Sequence, residues 1–359
     1  MMFLLLPRNR RPPSSVANYW SRRPSCISSL RLNATLSRPY TFHIGVSWAA
    51  KPPDPQVRRL NASFPPDSLV GKFRDEMLAS RNATASKDAG EDFFFIAPMR
   101  NGSGLALGVA DGVGGWVDSG VDPSLFSQAL MYHAHRYSRD SWAGEPEIDP
   151  TQDYDIPQRV DGCELTPYQC LKLAYSGILG EKHVQAGSST ACLISLNASS
   201  GVLRAANLGD SGFLIIRSSA VLYKQPAQTH FFNCPLQLTK FPENHQSDRY
   251  YIDPPSAAVQ YETKLRDGDI VVAYTDGLSD NVFPQDLLAI CALVARSEGS
   301  ENVQVQSMAD KIVQYARTCM RDRRKTSPFQ REAAREGVFH RGGKVDDITV
   351  ILALVRETL

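Results

Sequence analysis

The sequence predicts an α+β fold built in layers, with antiparallel strands in succession and helices grouped apart from them. Short apolar runs follow one another closely between residues 190 and 275, and Gly201, Gly212 and Ser218-Ser219 supply the turns. Such short connections suit antiparallel pairing, because parallel strands need long crossovers. The helical patterns lie in separate blocks, and no internal repeat is visible.

The predicted elements begin with two strands, residues 93–97 and 105–110, joined through the turn Asn101-Gly102. A helix is expected from Pro123, because proline suits a first helical turn and the apolar residues that follow recur on one face. A second helix is expected at 167–179, after a solvated acidic loop at 141–162. The remaining prediction is strands at 190–196, 202–208, 213–217, 220–224, 258–265 and 270–275, helices at 284–296 and 303–320, and a last strand at 348–355.

Residues 1–53 contain no Asp or Glu but eight basic residues, with serines between them. This composition predicts a mitochondrial transit peptide, and hence a location in the mitochondrion, in the matrix. A disordered basic tail and a secretory signal are the alternatives, although the apolar run at 1–6 is shorter than a usual secretory core. Residues 54–70 are rich in proline and are interpreted as a linker, so that the folded domain spans 71–359.

The bulk composition excludes several classes of function. The net charge of +1 does not indicate a nucleic-acid partner. No run of 18 apolar residues occurs, so no segment is predicted to span a membrane. The seven cysteines form no CxxC pair, which disfavours zinc and thioredoxin-like chemistry.

The informative pattern is the position of acidic residues at strand ends. Glu91 and Asp92 precede the first strand, and Asp111 follows the second. Asp276 follows the strand at 270–275, while Asp346 and Asp347 precede the last strand. In antiparallel strands the start of one strand and the end of its neighbour lie at the same edge, so these acids can converge.

Clustered carboxylates repel one another, and a bound cation removes that cost. An all-oxygen ligand set favours Mg²⁺, Mn²⁺ or Ca²⁺ over zinc. Glycine follows two of the acids, in Asp111-Gly112 and Asp276-Gly277, and would let a backbone carbonyl approach a metal. Asp-Gly is also a common turn dipeptide, so either pair alone is weak evidence.

Hydrolytic mechanisms that use a covalent enzyme intermediate do not fit the sequence. No cysteine is followed by arginine six positions later, and no G-x-S-x-G occurs. The triplet Asp153-Tyr154-Asp155 does not follow an apolar strand, which disfavours an aspartyl-phosphate mechanism.

Six short motifs resemble, in order, those of the metal-dependent protein phosphatases of the PPM or type 2C class. They are Gly90-Glu91-Asp92, residues 109–115 (VADGVGG), 187–191 (GSSTA), 207–211 (NLGDS), 276–281 (DGLSDN) and 344–350 (KVDDITV). Residues 229–238 and 111–116 resemble the mitochondrial branch of that family.

The resemblance implies a four-layer αββα sandwich, with two antiparallel sheets flanked by helices and a two-metal site at one end. It implies that Asp111, Asp276 and Asp346 hold one Mg²⁺ or Mn²⁺ ion. Glu91, Asp111 and the carbonyl of Gly112 would hold the other. The same comparison gives Asp92 a supporting role through water, places Asp210 where some members bind a third, weaker ion, and ranks Asp347 second to Asp346.

Two positions depart from the family pattern. Lys87 stands where the family often has a phosphate-binding arginine, and it can neutralise phosphate without clamping it in a bidentate manner. Val113 stands where the family often has a histidine proposed as general acid, so leaving-group protonation would need His133 or His135, if the fold brings either near.

The expected reaction is hydrolysis of phosphoserine and phosphothreonine on proteins, without a covalent enzyme intermediate. Two metals would share a water and lower its pKa, and the hydroxide would attack phosphorus in line. Two alternatives remain open: a two-metal hydrolase of nucleotides or phosphodiesters, and a non-catalytic binding protein on the same fold. The expected partners are mitochondrial phosphoproteins, and the expected state is a monomer.

Overall fold

The computed structural model describes residues 38–52, 63–79, 88–144, 164–242 and 251–358, which belong to one compact unit. Its strands are β1 (Tyr40–Ala49), β2 (Asp92–Pro98), β3 (Gly104–Asp111), β4 (Gly187–Ser189), β5 (Ala191–Asn197), β6 (Val202–Leu208), β7 (Gly212–Arg217), β8 (Ala220–Lys224), β9 (Thr229–Phe231), β10 (Cys234–Pro235), β11 (Leu238–Lys240), β12 (Val259–Lys264), β13 (Ile270–Tyr274) and β14 (Ile348–Glu357). Its α-helices are α1 (Leu69–Ala79), α2 (Pro123–Arg139), α3 (Pro167–Leu179), α4 (Asp276–Ser279), α5 (Pro284–Val294), α6 (Glu301–Cys319) and α7 (Pro328–Arg335).

Two antiparallel sheets form the centre of the molecule. Sheet I has the order β12-β6-β5-β3-β2, and sheet II has the order β1-β14-β13-β7-β8. Their facing sides share one apolar core, in which Trp48 of sheet II lies against Phe94 of sheet I with ring centroids 4.9 Å apart. The tight turns between β5, β6, β7 and β8 are those that the sequence indicates.

Helices cover both outer faces. Helices α1, α2 and α3 pack on sheet I through a core that includes Phe73, Leu130 and Leu171. Helices α5 and α6 pack on sheet II through a second core that includes Leu287 and Ile312. The predicted four-layer αββα sandwich is therefore confirmed.

The prolines and caps place the helix starts where the sequence predicts them. Pro123 opens α2, and the Asp122 carboxylate accepts a hydrogen bond from the backbone N–H of Ser124. Pro167 opens α3, where Thr166 and Gln169 form a reciprocal capping box. The predicted acidic loop at 141–162 lies mostly outside the described residues.

Strand β1 corrects the predicted domain boundary. The sequence interpretation places residues 1–53 in a targeting segment and starts the domain at residue 71, but Tyr40–Ala49 pair along their whole length with β14. Phe64, in the predicted linker, is also buried in the core beneath the helices of sheet I. The boundary was wrong because a composition argument over 53 residues hid the alternation of Phe42, Ile44, Val46 and Trp48, which is a strand signal. A targeting role for the residues before β1 stays a prediction.

Candidate metal centre

The acids of sheet I meet at one edge because of the β2–β3 register. Asp92 at the start of β2 lies opposite Asp111 at the end of β3. The Gly112 N–H donates to the carbonyl of Glu91 at 3.1 Å, which holds the two strand ends together. A Cβ at Gly112 would lie 2.6 Å from the Pro123 carbonyl oxygen, so only glycine allows this close approach.

Sheet II brings its acids to the same edge. Strand β13 ends one residue before Thr275, and β14 begins one residue after Asp347. The Thr275 hydroxyl donates to the Asp92 carboxylate at 2.7 Å and accepts from the Thr349 N–H at 3.0 Å. One side chain thus ties the acidic ends of the two sheets together.

Among the described residues, Asp111, Asp210 and Asp276 form a group of carboxylates that could hold a metal ion. One oxygen from each lies within 4.8 Å of the others. Two hydrogen bonds to Thr190 fix the Asp111 backbone. The Asp111 N–H donates to the Thr190 hydroxyl at 3.1 Å, and the Asp111 carbonyl accepts from the Thr190 N–H at 3.0 Å. The hydroxyls of Thr190 and Ser211 are 2.7 Å apart, which connects this support to the residue after Asp210.

Burial and mutual repulsion both act to raise the pKa values of the acids in the centre. Burial, with the charges of neighbouring aspartates, raises the pKa of Asp111 and of Asp210 well above the ordinary value. Burial and the charge of Asp347 likewise raise the pKa of Asp92. Burial alone would raise the pKa of Asp276, but the Lys344 ammonium overrides it and leaves that pKa lowered.

The donor set fits hard divalent cations. Asp92, Asp210 and Asp276 each keep one buried carboxylate oxygen, Oδ1, without a hydrogen-bond partner. Buried polar atoms normally have hydrogen-bond partners, so the unpartnered oxygens of Asp210 and Asp276, together with that of Asp92 opposite Asp111, point to a positive group that binds there. The donors in this cluster are oxygens, as Mg²⁺ and Mn²⁺ prefer.

Lys344 is a cation inside this cluster. Its ammonium lies 2.5 Å from Asp276, 2.8 Å from Asp280 and 3.1 Å from Asp346. The side chain of Asn281 holds the Lys344 backbone by accepting from its N–H at 3.0 Å and donating to its carbonyl at 2.8 Å. Burial raises the pKa of Asp280 to about 7 despite this contact.

Lys51 is a second cation at the centre, and it arrives from β1. Its ammonium lies 2.8 Å from Glu91, 3.4 Å from Asp347 and 3.8 Å from Asp346. Burial would lower the pKa of Lys51, but the three carboxylates override it and raise the pKa. Lys51 therefore stays charged and offsets part of the repulsion at the Glu91 side of the site.

Asp347 uses both carboxylate oxygens on backbone groups. Oδ1 accepts from the Lys51 N–H at 2.7 Å, and Oδ2 accepts from the Glu91 N–H at 3.0 Å. Its backbone is equally constrained, because a Cβ at Gly277 would lie 1.8 Å from the Asp347 carbonyl oxygen. Asp347 thus joins three segments of chain at the acidic edge.

Two other predicted groups lie elsewhere. His133 is buried between α2 and α3, and its Nε2 lies 3.9 Å from Glu181. His135 packs against Phe73 and Phe95 beneath the outer helices. Neither histidine joins the acidic edge, because both project into the helical layer of sheet I. Lys87 lies outside the described residues.

Sequence reasoning missed Lys51, Lys344 and Asp280. Lys344 and Asp280 stand inside quoted motifs, but nothing local shows that their charges meet. The signal for Lys51 was available as the alternating strand that precedes it, which would have brought residue 51 to the edge where β14 begins.

Comparison with known proteins shows similarity along most of the chain. The chain is 38% identical over 290 residues to the protein phosphatase PTC7 homolog fig of Drosophila willistoni, covering 80% of this chain and 83% of the relative. It is 37% identical over 268 residues to the human protein phosphatase PTC7 homolog, covering 75% and 80%. No protein-family model matches the chain.

A solved structure is similar to this chain in both fold and sequence. The X-ray structure of the photosystem II phosphatase PBCP matches with a TM-score of 0.59 and 25% sequence identity. The match covers 88% of this chain and 98% of that chain.

Proposed function

The chain belongs to the PTC7 group of PPM-type protein phosphatases, and from that premise we propose that it hydrolyses phosphoserine and phosphothreonine on proteins at the acidic centre. The observation that carries the proposal is the cluster of Asp111, Asp210 and Asp276, whose oxygens lie within 4.8 Å of one another. The cluster stands at the edge where both sheets end, so a substrate at the surface can reach it.

We assign the metal ligands by combining this geometry with the family resemblance. Asp111, Asp276 and Asp346 hold one ion, while Glu91, Asp111 and the Gly112 carbonyl hold the other. When bound, two Mg²⁺ or Mn²⁺ ions would supply positive charge for the phosphoryl oxygens and an activated water. Asp210 is the candidate ligand for a third ion.

The remaining acids support this set. Thr275 fixes the Asp92 carboxylate by its hydrogen bond, so Asp92 can orient a water beside the ions. Asp347 positions Glu91 and Lys51 through their backbone N–H groups, and we assign it this positioning role in preference to direct ligation.

The chain offers two lysines for the substrate phosphate. Lys51 already lies at the centre, 2.8 Å from Glu91, and its positive charge suits phosphoryl oxygens. Lys87 remains a proposal from its sequence position. In either case a lysine acts as a point charge and not as a bidentate clamp.

The substrates that we propose are mitochondrial phosphoproteins, with the enzyme in the matrix as a monomer. The basic, acid-free composition of residues 1–39, before β1, supports the location. Among the described residues, no helix combines the length and apolar character needed to cross a membrane.

The proposal is tested with metal-depleted protein. Chelation should abolish phosphopeptide hydrolysis, Mn²⁺ or Mg²⁺ should restore it, and calorimetry should show Mn²⁺ binding to the folded protein. Asp111→Asn and Asp276→Asn should each lose Mn²⁺ affinity and at least 100-fold in turnover, an expectation on the order of the several kcal/mol that metal charge supplies. The exposed Asp118→Asn is the matched control.

Three outcomes would contradict the proposal. Full activity in excess chelator excludes the two-metal mechanism. Faster turnover of nucleotides or phosphodiesters than of phosphoproteins indicates a different hydrolase. Phosphoprotein binding without turnover in the presence of Mn²⁺ indicates a non-catalytic binding protein.

A further inference from the structure

Three aromatic side chains stand in a row next to the metal centre, and we refer to them as the aromatic wall: Phe232, Phe329 and His340. The Phe329 ring lies 5.1 Å from that of Phe232 and 4.7 Å from that of His340. All three side chains are partly exposed. Phe232 comes from the turn between β9 and β10, while Phe329 and His340 come from α7 and the segment after it.

The wall is continuous with the acids through Lys344. The Lys344 ammonium lies 5.2 Å from the centre of the Phe329 ring and 3.1 Å from Asp346. The Phe329 N–H also donates to the carbonyl of Asp280 at 3.0 Å. An extended chain advances about 3.3–3.6 Å per residue, so a peptide with its phosphate at the acids can place a side chain one to three residues away against the wall.

The charge around the wall selects the kind of occupant. Residues 321–345 carry eight basic and three acidic side chains. A second copy of this chain would bring the same positive charge against itself, which disfavours self-association at this face. A phosphorylated protein segment carries the complementary charge.

We propose that the aromatic wall binds an apolar side chain that lies one to three residues from the phosphorylated residue of a protein substrate. The inference rests on the proposed function and names a sequence feature of its substrates. Phe329 provides the ring face next to Lys344, and Phe232 adds apolar surface beside the Phe329 ring. Recognition of one apolar side chain is worth about 10-fold or more in kcat/KM.

The hairpin offers a matched control. Phe231 is adjacent to Phe232 in sequence, is 56% exposed and contacts Tyr251 at a ring distance of 5.7 Å. The Phe231 ring contacts Tyr251 while the Phe232 ring contacts Phe329, so the two side chains belong to different contacts of the same hairpin. Both replacements by alanine remove the same side-chain volume from the same hairpin.

The test uses a set of phosphoserine peptides. The parent peptide has serine at the three positions on each side of the phosphoserine, and each other peptide replaces one of these serines by leucine. With wild-type protein and Mn²⁺, leucine at one or two of these positions should raise kcat/KM about 10-fold over the parent. Phe232→Ala should reduce this ratio to within about 2-fold, Phe232→Leu should retain part of it, and Phe231→Ala should keep the wild-type ratio. Circular dichroism checks that each variant is folded.

The outcomes separate this inference from the proposed function. Turnover of the serine parent reports on the phosphatase centre alone, and the leucine-to-serine ratio reports on the wall alone. A flat ratio in an active enzyme, or an equal ratio in Phe232→Ala, overturns the inference and leaves the phosphatase assignment standing. A dimer that dissociates in Phe232→Ala, seen by sedimentation, overturns it in favour of a second copy. Failure to hydrolyse any phosphopeptide overturns both.

Discussion

At the scale of single residues, Lys51 and Lys344 explain how so many carboxylates can share one edge. Each ammonium contacts three acids from at least two segments of chain. Removing either charge would leave the repulsion between buried carboxylates uncompensated. The two lysines are not equivalent, because Lys344 lies among Asp276, Asp280 and Asp346 while Lys51 lies on the Glu91 side.

Lys51 should have opposite effects on metal and substrate. Its ammonium competes with cations for Glu91, so Lys51→Ala should bind Mn²⁺ more tightly in calorimetry. If Lys51 also contacts the substrate phosphate, the same variant should lose roughly 10- to 100-fold in kcat/KM, as expected for a hydrogen bond to a charged group. Lys51→Arg should retain most activity, and the exposed Lys182→Ala is the control. Unchanged kinetics in Lys51→Ala would show that Lys51 does not contact the substrate phosphate, and Lys87 would then be the remaining candidate.

His133 should make the fold sensitive to acid. Burial between α2 and α3, with the charge of Arg136, lowers the pKa of His133 to about 4, and Glu181 opposes this only partly. The pKa is lower in the folded chain than in the unfolded chain. The contribution of His133 to the free energy of unfolding is therefore fully present above pH 6.5, and it is lost as the pH falls toward 4.

We expect the unfolding free energy of the wild type to fall by on the order of 2–3 kcal/mol, relative to His133→Gln, between pH 7 and pH 4.5. Denaturant titrations of both proteins across this range measure the difference, which cancels the contribution of the shared carboxylates. His183, which is mostly exposed, provides the control replacement. Parallel pH curves for the wild type and His133→Gln would show that His133 is not the sensitive group.

At the scale of elements, β1 links the fold to the site. It pairs with β14, packs Trp48 into the core between the sheets and delivers Lys51 to the acids. Asp346 and Asp347 directly precede the last strand, β14, so the β1–β14 pair positions three groups of the centre. The folded domain must therefore begin near residue 38 for the site to be complete.

A shortened chain that begins at Arg38 should fold and bind Mn²⁺, whereas one that begins at Ala50 keeps Lys51 but should not unfold cooperatively. As a milder change, Trp48→Ala should cost about 3–5 kcal/mol, because it removes a buried indole from the core. Thr41→Ala, at an exposed position of the same strand, should cost less than about 1 kcal/mol. Thermal unfolding checks all four proteins, and cooperative unfolding of the chain from Ala50 would contradict a structural role for β1.

At the scale of the whole molecule, the four layers explain why the centre is rigid and yet accessible. Apolar cores on both faces of both sheets fix the strand ends, and the acids stand at an edge that the layers leave open. The basic segment 321–345 stands next to that edge, although the whole chain has a net charge of only +1. Long-range attraction of acidic phosphoproteins to this face should weaken with salt.

The targeting proposal concerns the residues before β1, and it is testable separately from the metal centre. Residues 1–39 fused to a fluorescent protein should enter mitochondria. This segment contains no acidic residue and keeps every basic residue of the acid-free stretch 1–53 except Lys51. Replacing Arg8, Arg10 and Arg11 by glutamine should reduce import. Microscopy and protease protection measure the location. A reporter that stays in the cytosol would contradict the targeting proposal and favour the alternative of a basic tail without a targeting function.

The sequence alone determined the features that depend on local pattern. Alternating apolar residues, proline at helix starts and close turns predicted most of the strands and helices, since these signals act between near neighbours. Acids at strand ends predicted the metal edge, because antiparallel pairing brings the ends of adjacent strands together. The family resemblance supplied the ligand assignments.

Only the tertiary structure decided which distant groups meet at that edge. Lys51, Thr275 and Lys344 come from separate segments, and their contacts with Glu91, Asp92 and Asp276 depend on the packing of one sheet on the other. The same packing puts His133 in the helical layer and Phe232 beside Phe329. Local sequence does not encode these pairings, because each is fixed by burial of apolar surface contributed by many strands at once.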